Sequence, residues 1–486
     1  MKKRKIVAVT LATALVLSLA ACGDKSKDSK GSGDSDSGST VDLDSVEVSE
    51  NAFDEERTIK IGVYSDQYYD STHTSIDDNP NITDRDSAQE QFDNVKVVEK
   101  RYNCKIQYMN LTWSGIIDSI NTSIMSGTPD CDIYDVTLQY GLPALINGQA
   151  QALEDFLPAD DDVLTTQESM KSLNVLNMDK TYLFSTAGGI DTTAWGLCFN
   201  KDIVEKTAGL ENPQDVYDRG EWTWDKFQEY MQACTYDQDG DGVTDVYGYG
   251  SYWTQTLISM MMANGTGIAM SDKETVTSPA TIEVLDFIDK MYNTWKCARP
   301  WQKDDYMSNG ESWQDGTVAF WAAQHWVLNE GDIASKEWEL GVVPWPIGPS
   351  GNAETNAYTN VGGDWMMIPI GIAEPEKVYA VYRDFATWYQ DDLDKVNDTS
   401  WAEDQFVTER NFNYIVEMGD GSRKQVDLWE NLDSEFSLEP MLIGEETATQ
   451  LAERSKKLIQ KKLDAYLDGS SLSDSEEPDP DETMKP

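Results

Sequence analysis

Residues 58–137 alternate between the apolar pattern of a β-strand and that of an amphipathic helix. Alternating apolar residues predict strands over 58–64, 105–109 and 132–137. Between them, apolar residues at helical spacing predict helices over 89–102 and 113–126. Strands that alternate with helices at this spacing are typical of βαβ units. We therefore expect an α/β fold built on a mostly parallel sheet that helices cover.

Two later segments depart from this alternation. Residues 182–200 and 358–370 are both predicted to be extended, and each holds a glycine pair, Gly188-Gly189 and Gly362-Gly363. Extended chain with glycines in its middle suits a crossing between two lobes. The other patterns predict helices over 224–234, 281–295, 377–389 and 447–467 and strands over 317–321 and 339–343.

The first residues of the sequence predict an export signal. Residues 2–5 are basic, residues 6–21 are apolar or small apart from three hydroxyl residues, and Leu19-Ala-Ala-Cys22 ends the run. This run is short for a membrane span of about 20 residues, and small residues at its end are typical of a cleavage site. The box resembles the lipobox of bacterial lipoproteins, which implies a lipid on Cys22. The alternative is an ordinary signal peptide with a cysteine at its cleavage site.

Polar sequence flanks the folded body on both sides. Residues 22–56 are rich in Ser, Gly, Asp and Lys, which predicts a flexible linker after the signal peptide at 1–21. Residues 469–486 are acidic and contain three prolines, which predicts a disordered tail. A lipid with such a linker would hold the folded body near the outer face of the cell membrane.

Composition limits the possible partners. The net charge of −49 argues against nucleic acid. Sixteen Trp and 22 Tyr offer faces that stack on sugar rings, although many are expected in the core. The presence of only two histidines, His73 and His325, excludes a histidine-rich metal site. The five cysteines after Cys22 are odd in number and scattered, so we expect buried apolar residues rather than a disulfide framework.

A calcium-binding pattern begins at residue 237. Carboxylates stand at the first, third, fifth and ninth positions of this loop, with Gly242 at the sixth, where a sharp turn is needed. The predicted ligands are Asp237, Asp239, Asp241 and Asp245, with the carbonyl of Val243. Gly248 stands at the twelfth position, where a bidentate Glu is expected. The alternative is a polar turn that binds no ion, and the role of an ion here would be structural.

At 195–202, at 363–369 and at further stretches between residues 58 and 467, the sequence resembles the extracellular solute-binding proteins of ABC importers, in the branch that includes maltose-binding protein. Trp195-Gly-Leu-Cys-Phe-Asn-Lys-Asp202 is similar to the family's Leu-x-Tyr-Asn-Lys-Asp strand, and Gly363-Asp-Trp-Met-Met-Ile-Pro369 resembles its Gly-Gly-x-x-x-Ala-Ile-Pro stretch. The other matching stretches are 126–133, 150–157, 223–227 and 315–320 followed by Trp326.

The resemblance implies two α/β lobes joined by two crossings, with a ligand cleft between them. The first lobe would comprise 57–188 and 361–400, and the second 189–360 and 401–468. In such a fold, ligands contact loops at the carboxyl ends of strands and the crossings themselves. The ligand-binding residues predicted on this basis are Trp113, Gln139, Tyr140, Asp191, Thr193, Trp195, Tyr252, Trp253, Trp326, Asp364 and Trp365.

The resemblance predicts a monomeric, membrane-anchored receptor that hands a carbohydrate to an ABC permease. Each of the predicted ligand-binding tryptophans could instead be a packed core residue. Asp191 and Asp364 could instead be solvated carboxylates beside the hinges. His325 is expected to be structural. A peptide or polyamine receptor is the main alternative, and an exported glycoside hydrolase is a weaker one. The sequence contains no Gly-x-Ser-x-Gly elbow, phosphate loop or His-Glu-x-x-His motif that would indicate catalysis.

Overall fold

The first lobe is built on a five-stranded sheet in the order β2-β1-β3-β12-β4. The structure is a computed structural model, and it describes residues 41–80, 82, 84–165, 180–185, 190–270, 272–302, 312–360, 365–389, 392, 395, 399–420, 424–425, 428 and 436–467. The strands of this sheet are β1 (Arg57–Val63), β2 (Cys104–Asn110), β3 (Ile133–Val136), β4 (Leu183–Phe184) and β12 (Trp365–Met367).

Strand direction places several strand ends at one edge of this sheet. β1 runs parallel to β2 and β3, whereas β12 is antiparallel to both of its neighbours, β3 and β4. Trp365 pairs with Val136, so β12 begins where β3 ends. The carboxyl ends of β1 to β4 therefore share an edge with the start of β12, and the chain leaves and re-enters the lobe at that edge.

The helices of the first lobe follow the predicted pattern, with one addition longer than a single turn. α1 (Arg85–Tyr102) buries Val95 and Val98, and α2 (Trp113–Ser119) continues into a π-helical turn at Ile120–Ile124. The additional helix, α3 (Leu138–Ile146), contains Gly141 and Pro143, both of which disfavour a helix in isolation. The lobe also contains a short helix α4 at Asp162–Thr165, and α11 at Pro375–Ala386 after the chain returns.

The second lobe is built on a four-stranded sheet in the order β10-β5-β9-β6. Its strands are β5 (Gly196–Asn200), β6 (Tyr247–Tyr249), β9 (Val318–Ala323) and β10 (Leu340–Val343). β5 is antiparallel to both neighbours, and β6 is parallel to β9. The start of β5 and the carboxyl ends of β6, β9 and β10 therefore share one edge.

The helices of the second lobe pack against this sheet and against one another. They are α5 (Lys201–Lys206), α6 (Pro213–Asp218), α7 (Trp224–Ala233), α8 (Trp253–Ala263), α9 (Pro279–Asp289), α10 (His325–Glu330), α12 (Ser400–Phe406), α13 (Glu409–Met418), α14 (Glu439–Leu442) and α15 (Ala448–Leu467). Four further strands form two small ladders, β7 (Ala269–Met270) with β8 (Lys273–Glu274) and β11 (Thr359–Asn360) with β13 (Lys424–Gln425).

Both sheets are mixed, which corrects the prediction of a mostly parallel sheet. The α/β class is as predicted, and β1, β2 and β3 are parallel because helices return the chain between them. β12, however, enters the first sheet from the opposite direction after the chain has crossed back from the second lobe. Sequence periodicity contains no information about this reversal.

Each lobe has its own apolar core. One core contains residues between 53 and 184 together with residues 365–385, whereas the other is drawn mainly from 194–358 and 402–463. The predicted lobe boundaries at 188, 360 and 400 fall between these runs, and the boundaries themselves stay a prediction. Both glycine pairs of the predicted crossings lie outside the described residues.

The folded body begins before residue 57, within the segment predicted to be linker. The ring of Phe53 is buried, its N–H donates to the carbonyl of Tyr102, and the Asn103 side chain donates to its carbonyl. The N–H of Ser49 likewise donates to Arg101. The buried ring of Phe53 holds residues 49–53 against the first lobe. This contact was not predicted because the surrounding sequence is polar.

The cysteines are buried and unpaired, as predicted. Cys104, Cys131, Cys198, Cys234 and Cys297 are all free thiols. Burial raises the pKa of Cys104 and Cys131 to about 12, which keeps their thiols protonated. In the described ranges, the structure has no helix that is both long and apolar enough to cross a bilayer.

Candidate functional site

An exposed tryptophan stands at the carboxyl edge of the first sheet. Trp113 is 45% exposed and lies between Tyr64 and Tyr140, with ring centroids 5.1 Å from each. The Tyr64 ring meets it edge-on at 81°, and the Tyr140 ring is tilted by 57°. The two tyrosines fix the indole while leaving much of its surface open to solvent.

The backbone before Trp113 is held in an uncommon conformation. Thr112 has φ 65°, which is rare for a β-branched residue. Its hydroxyl accepts a hydrogen bond from the N–H of Gly115 and so caps α2. Strain of this kind is found preferentially at functional sites, where the surrounding structure maintains it. The turn sets Trp113 at the first position of α2, directly at the sheet edge.

Trp365 lies at the same edge but inside the core. Its side chain is 4% exposed, and it occupies the first position of β12, between β3 and β4. Its indole nitrogen and the hydroxyl of Thr137 are buried with no hydrogen-bond partner among the described residues. Gln139, in the first turn of α3, is half-buried. The ring of Trp365 therefore offers little surface to solvent.

The second sheet collects aromatic side chains at its own edge. Trp195 precedes β5, Trp326 follows β9, Trp345 follows β10, and Tyr252 with Trp253 follows β6. Tyr252 and Trp253 are 7% and 8% exposed, whereas Trp326 is 40% exposed. Trp326 is therefore the counterpart of Trp113 on the second lobe.

Trp195 and Trp326 form a fixed pair. Their rings are perpendicular, at 89° with centroids 5.7 Å apart. The Trp326 indole donates to the side-chain oxygen of Gln324 at 2.7 Å, and the Trp345 indole donates to the carbonyl of Trp195 at 2.9 Å. His325 stands between Gln324 and Trp326 in the sequence. It is half-buried, and burial lowers the pKa of its imidazole. It is therefore neutral at physiological pH.

The segment that joins the two sheet edges is shaped by Asp191. One oxygen of its carboxylate accepts from the N–H and the hydroxyl of Thr193, at 2.8 and 2.6 Å. The carbonyl of Thr193 in turn accepts from the side-chain nitrogen of Gln324. Asp364, the predicted counterpart on the second crossing, lies outside the described residues.

The loop at 237–245 gathers three carboxylates. Oxygens of Asp237, Asp239 and Asp245 lie within 4.8 Å of one another. Asp237 accepts hydrogen bonds from Gly242 and Gly240, which lower the pKa of its carboxyl. Asp241 is outside this group, and its carboxylate accepts from the N–H of Val243. Asp237 and Asp239 are exposed and Asp245 is half-buried. Three carboxylates at this spacing are able to share one hard cation.

A separate groove lies at the opposite end of the first lobe. Its cavity volume is about 530 Å³, and Val48, Phe53, Lys96, Lys100 and Glu99 contribute to its lining. It borders the starts of β1 and β2, whereas Trp113 follows their ends. The groove is therefore distinct from the sheet edge that carries Trp113.

Three residues at the carboxyl edges of the two sheets were not among the ligand-binding residues predicted from the sequence. Tyr64, Gln324 and Trp345 each stand one or two positions beyond the end of a strand. That position is the signal that would have found them, because side chains just beyond strand ends gather at the ligand-binding edge of such sheets.

Comparison with known proteins identifies the family. Residues 79–392, well over half of the chain, match the model of the bacterial extracellular solute-binding proteins. No curated protein sequence matches the chain.

Solved structures of solute-binding proteins share the fold. The GacH receptor of Streptomyces glaucescens, known unliganded and with acarbose, has a TM-score of 0.57 at 16% identity, covering 85% of this chain and 99% of that one. The cyclic α-maltosyl-1,6-maltose binding protein of Arthrobacter globiformis has a TM-score of 0.59 at 17% identity, covering 84% and 98%. The sugar-binding protein MalE of Xanthomonas citri has a TM-score of 0.58 at 13% identity, covering 84% and 97%. On the evidence of the family match and this shared fold, the chain belongs to the bacterial extracellular solute-binding proteins.

Proposed function

We propose that this protein binds a carbohydrate between its two lobes and delivers it, unchanged, to the permease of an ABC importer. The observation that carries the proposal is the pair of exposed tryptophans, Trp113 and Trp326, one at the edge of each sheet. Indole faces stack on the apolar C–H faces of sugar rings, and the polar groups around them pair with hydroxyls. Several structural neighbours are carbohydrate-binding proteins by name, which supports this ligand class.

Lobe closure would complete the site. The segment 185–195 joins the edge that carries Trp113 to the edge that carries Trp326. A ligand that contacts both edges gains its full set of contacts only when the lobes approach, so it favours the closed arrangement. The permease would then distinguish loaded from empty receptor by this closure.

The proposal places the protein at the outer face of the membrane, held by a lipid on Cys22. The Leu19-Ala-Ala-Cys22 box supports the lipid, and the extracellular family supports the location. Fewer than twenty residues separate Cys22 from Val41, where the described chain begins. Such a tether would keep the receptor within reach of the permease while allowing it to rotate.

A calcium ion held by the loop at 237–245 is part of the proposal. The mutual approach of Asp237, Asp239 and Asp245 supports it, because like charges this close repel one another unless a cation neutralises them. The ion would stabilise the second lobe, since the loop leads directly into β6. It would take no part in ligand binding.

A thermal-shift screen tests the ligand class. The purified mature protein is heated with maltotriose, maltotetraose, acarbose and monosaccharides, and separately with short peptides and polyamines. A ligand at about 100 times its dissociation constant adds about 2.7 kcal/mol to the free energy of unfolding. We expect stabilisation by a carbohydrate and recovery of that carbohydrate intact. Stabilisation by a peptide or polyamine alone would contradict the carbohydrate, and hydrolysis would contradict the receptor.

A further inference from the structure

The Trp326 indole makes one ring contact and one hydrogen bond with neighbouring side chains. With 40% of its surface exposed, its side chain lacks the surrounding core that would otherwise fix its rotamer. One support is the edge-to-face contact with Trp195, and the other is the 2.7 Å bond from its indole nitrogen to Gln324. An exposed aromatic ring binds a ligand well only when its orientation is set beforehand.

The side chain at position 324 has to accept from one partner and donate to the other. An indole N–H only donates a hydrogen bond, and a backbone carbonyl only accepts one. Gln324 accepts from Trp326 through its oxygen and donates to Thr193 through its nitrogen. A carboxylate at position 324 could still accept from Trp326 but could not donate to the Thr193 carbonyl. An apolar side chain there could bond to neither partner.

The Thr193 carbonyl is itself held in place. Asp191 accepts from both the N–H and the hydroxyl of Thr193, which fixes the local turn. This turn lies in the segment that runs from β4 to β5, between the two lobes. The chain of contacts from Asp191 through Thr193 and Gln324 to Trp326 therefore connects the interlobe crossing with the exposed indole.

We propose that Gln324 is a positioning residue, which aligns the Trp326 ring with the interlobe crossing and so presets it for the ligand. Because the indole N–H is bonded to Gln324, Trp326 offers the ligand its ring surface and no hydrogen-bond donor. This selects for ligands with an apolar face. The inference rests on the proposed function for its consequence in binding, but the alignment itself is a property of the ligand-free protein.

The first test is spectroscopic and needs no ligand. The indole ¹H–¹⁵N signal of Trp326 is assigned by its loss in Trp326→Phe, and it is then followed in Gln324→Met and Gln324→Glu. In Gln324→Met we expect the signal to move upfield and its exchange with water to rise about three- to tenfold, as for the loss of one hydrogen bond. In Gln324→Glu the signal should stay hydrogen-bonded, because the carboxylate still accepts. An unmoved signal in Gln324→Met would overturn the proposal.

The second test measures binding of maltotriose, or of the carbohydrate that gives the largest thermal shift. Gln324→Met should weaken binding about three- to tenfold in the parent and should have no further effect in Trp326→Phe, which lacks the indole N–H. An equal loss in both backgrounds would mean that Gln324 acts directly on the ligand and would overturn the positioning role. If no carbohydrate binds, the proposed function fails, while the indole signal still decides the alignment. Circular dichroism and melting temperature confirm that each variant is folded.

Discussion

The backbone of Gly419 lies directly against the backbone carbonyl of Asp191. A β-carbon at position 419 would come within 2.2 Å of that oxygen, far closer than two such atoms approach. Gly419 follows α13 in the second lobe, and Asp191 belongs to the segment that crosses from the first. The absence of a side chain at 419 therefore sets where the crossing lies on the second lobe.

Gly419→Ala should displace this crossing. Because the obstructing atom is backbone, the structure has to shift, at a cost of about 1–3 kcal/mol. We expect a lower melting temperature and a changed small-angle scattering profile in the absence of ligand. Asn413→Ala, at an exposed position of the same helix, is the control and should change neither. A Gly419→Ala protein identical to the parent in both measurements would show that the contact is not constraining.

Truncation to alanine should affect mainly ligand binding at Trp326 and mainly stability at Trp365. Trp326→Ala should weaken carbohydrate binding at least several-fold and should cost less stability than Trp365→Ala, because its ring is already 40% exposed. Trp365→Ala removes a buried ring and should destabilise the protein by about 3–5 kcal/mol. Titration calorimetry and denaturant unfolding measure the two quantities. A stable Trp365→Ala protein that has lost only binding would place that ring among the ligand contacts.

Calcium should stabilise the second lobe through the loop at 237–245. Chelation should lower the melting temperature, and calcium should restore it better than magnesium, which demands a stricter geometry. Asp239→Asn should abolish the calcium effect, whereas Asp241→Asn should reduce it less, because its carboxylate lies outside the close group. If metal analysis after equilibration with calcium finds no bound ion, the loop is only a turn.

Cys22 should carry the membrane link. Cys22→Ser removes the thiol that would be lipidated, so the protein should appear in the medium or remain unprocessed. Fractionation with and without detergent measures its location, and mass spectrometry of the mature amino terminus detects the lipid. A correctly cleaved Cys22→Ser protein that still needs detergent for release would contradict the prediction.

Local elements were predictable because their signals are local. Apolar spacing predicted strands over 58–64 and 105–109 and a helix over 89–102, which correspond to β1, β2 and α1. The helix at 138–146 was not predicted because Gly141 and Pro143 oppose it locally. Packing explains Gly141, since a β-carbon there would lie 2.9 Å from Leu183, on a strand forty residues away. Such tertiary reasons are absent from a local pattern.

The sequence predicts which residue types follow the strands but contains no direct information about their exposure. Trp113 and Trp326 were nominated with Trp365, yet only the first two have substantial solvent exposure. Trp365 lies on a strand and packs into the apolar core of the first lobe, whereas Trp113 and Trp326 lie beyond the ends of strands. Gln324 was missed because the predicted strand ended at residue 321, whereas β9 ends at Ala323, directly before Gln324. Its importance follows from its bonds to Thr193 and Trp326.

Titration calorimetry with oligosaccharides, followed by mass analysis of the recovered ligand, tests the central claim most directly. The protein is titrated with maltotriose, maltotetraose and acarbose, and with any carbohydrate found by thermal shift. The account predicts one carbohydrate bound per chain, weakened in both Trp113→Ala and Trp326→Ala and recovered intact. Binding that is indifferent to both tryptophans, a cleaved carbohydrate, or a response to peptides or polyamines alone would contradict it.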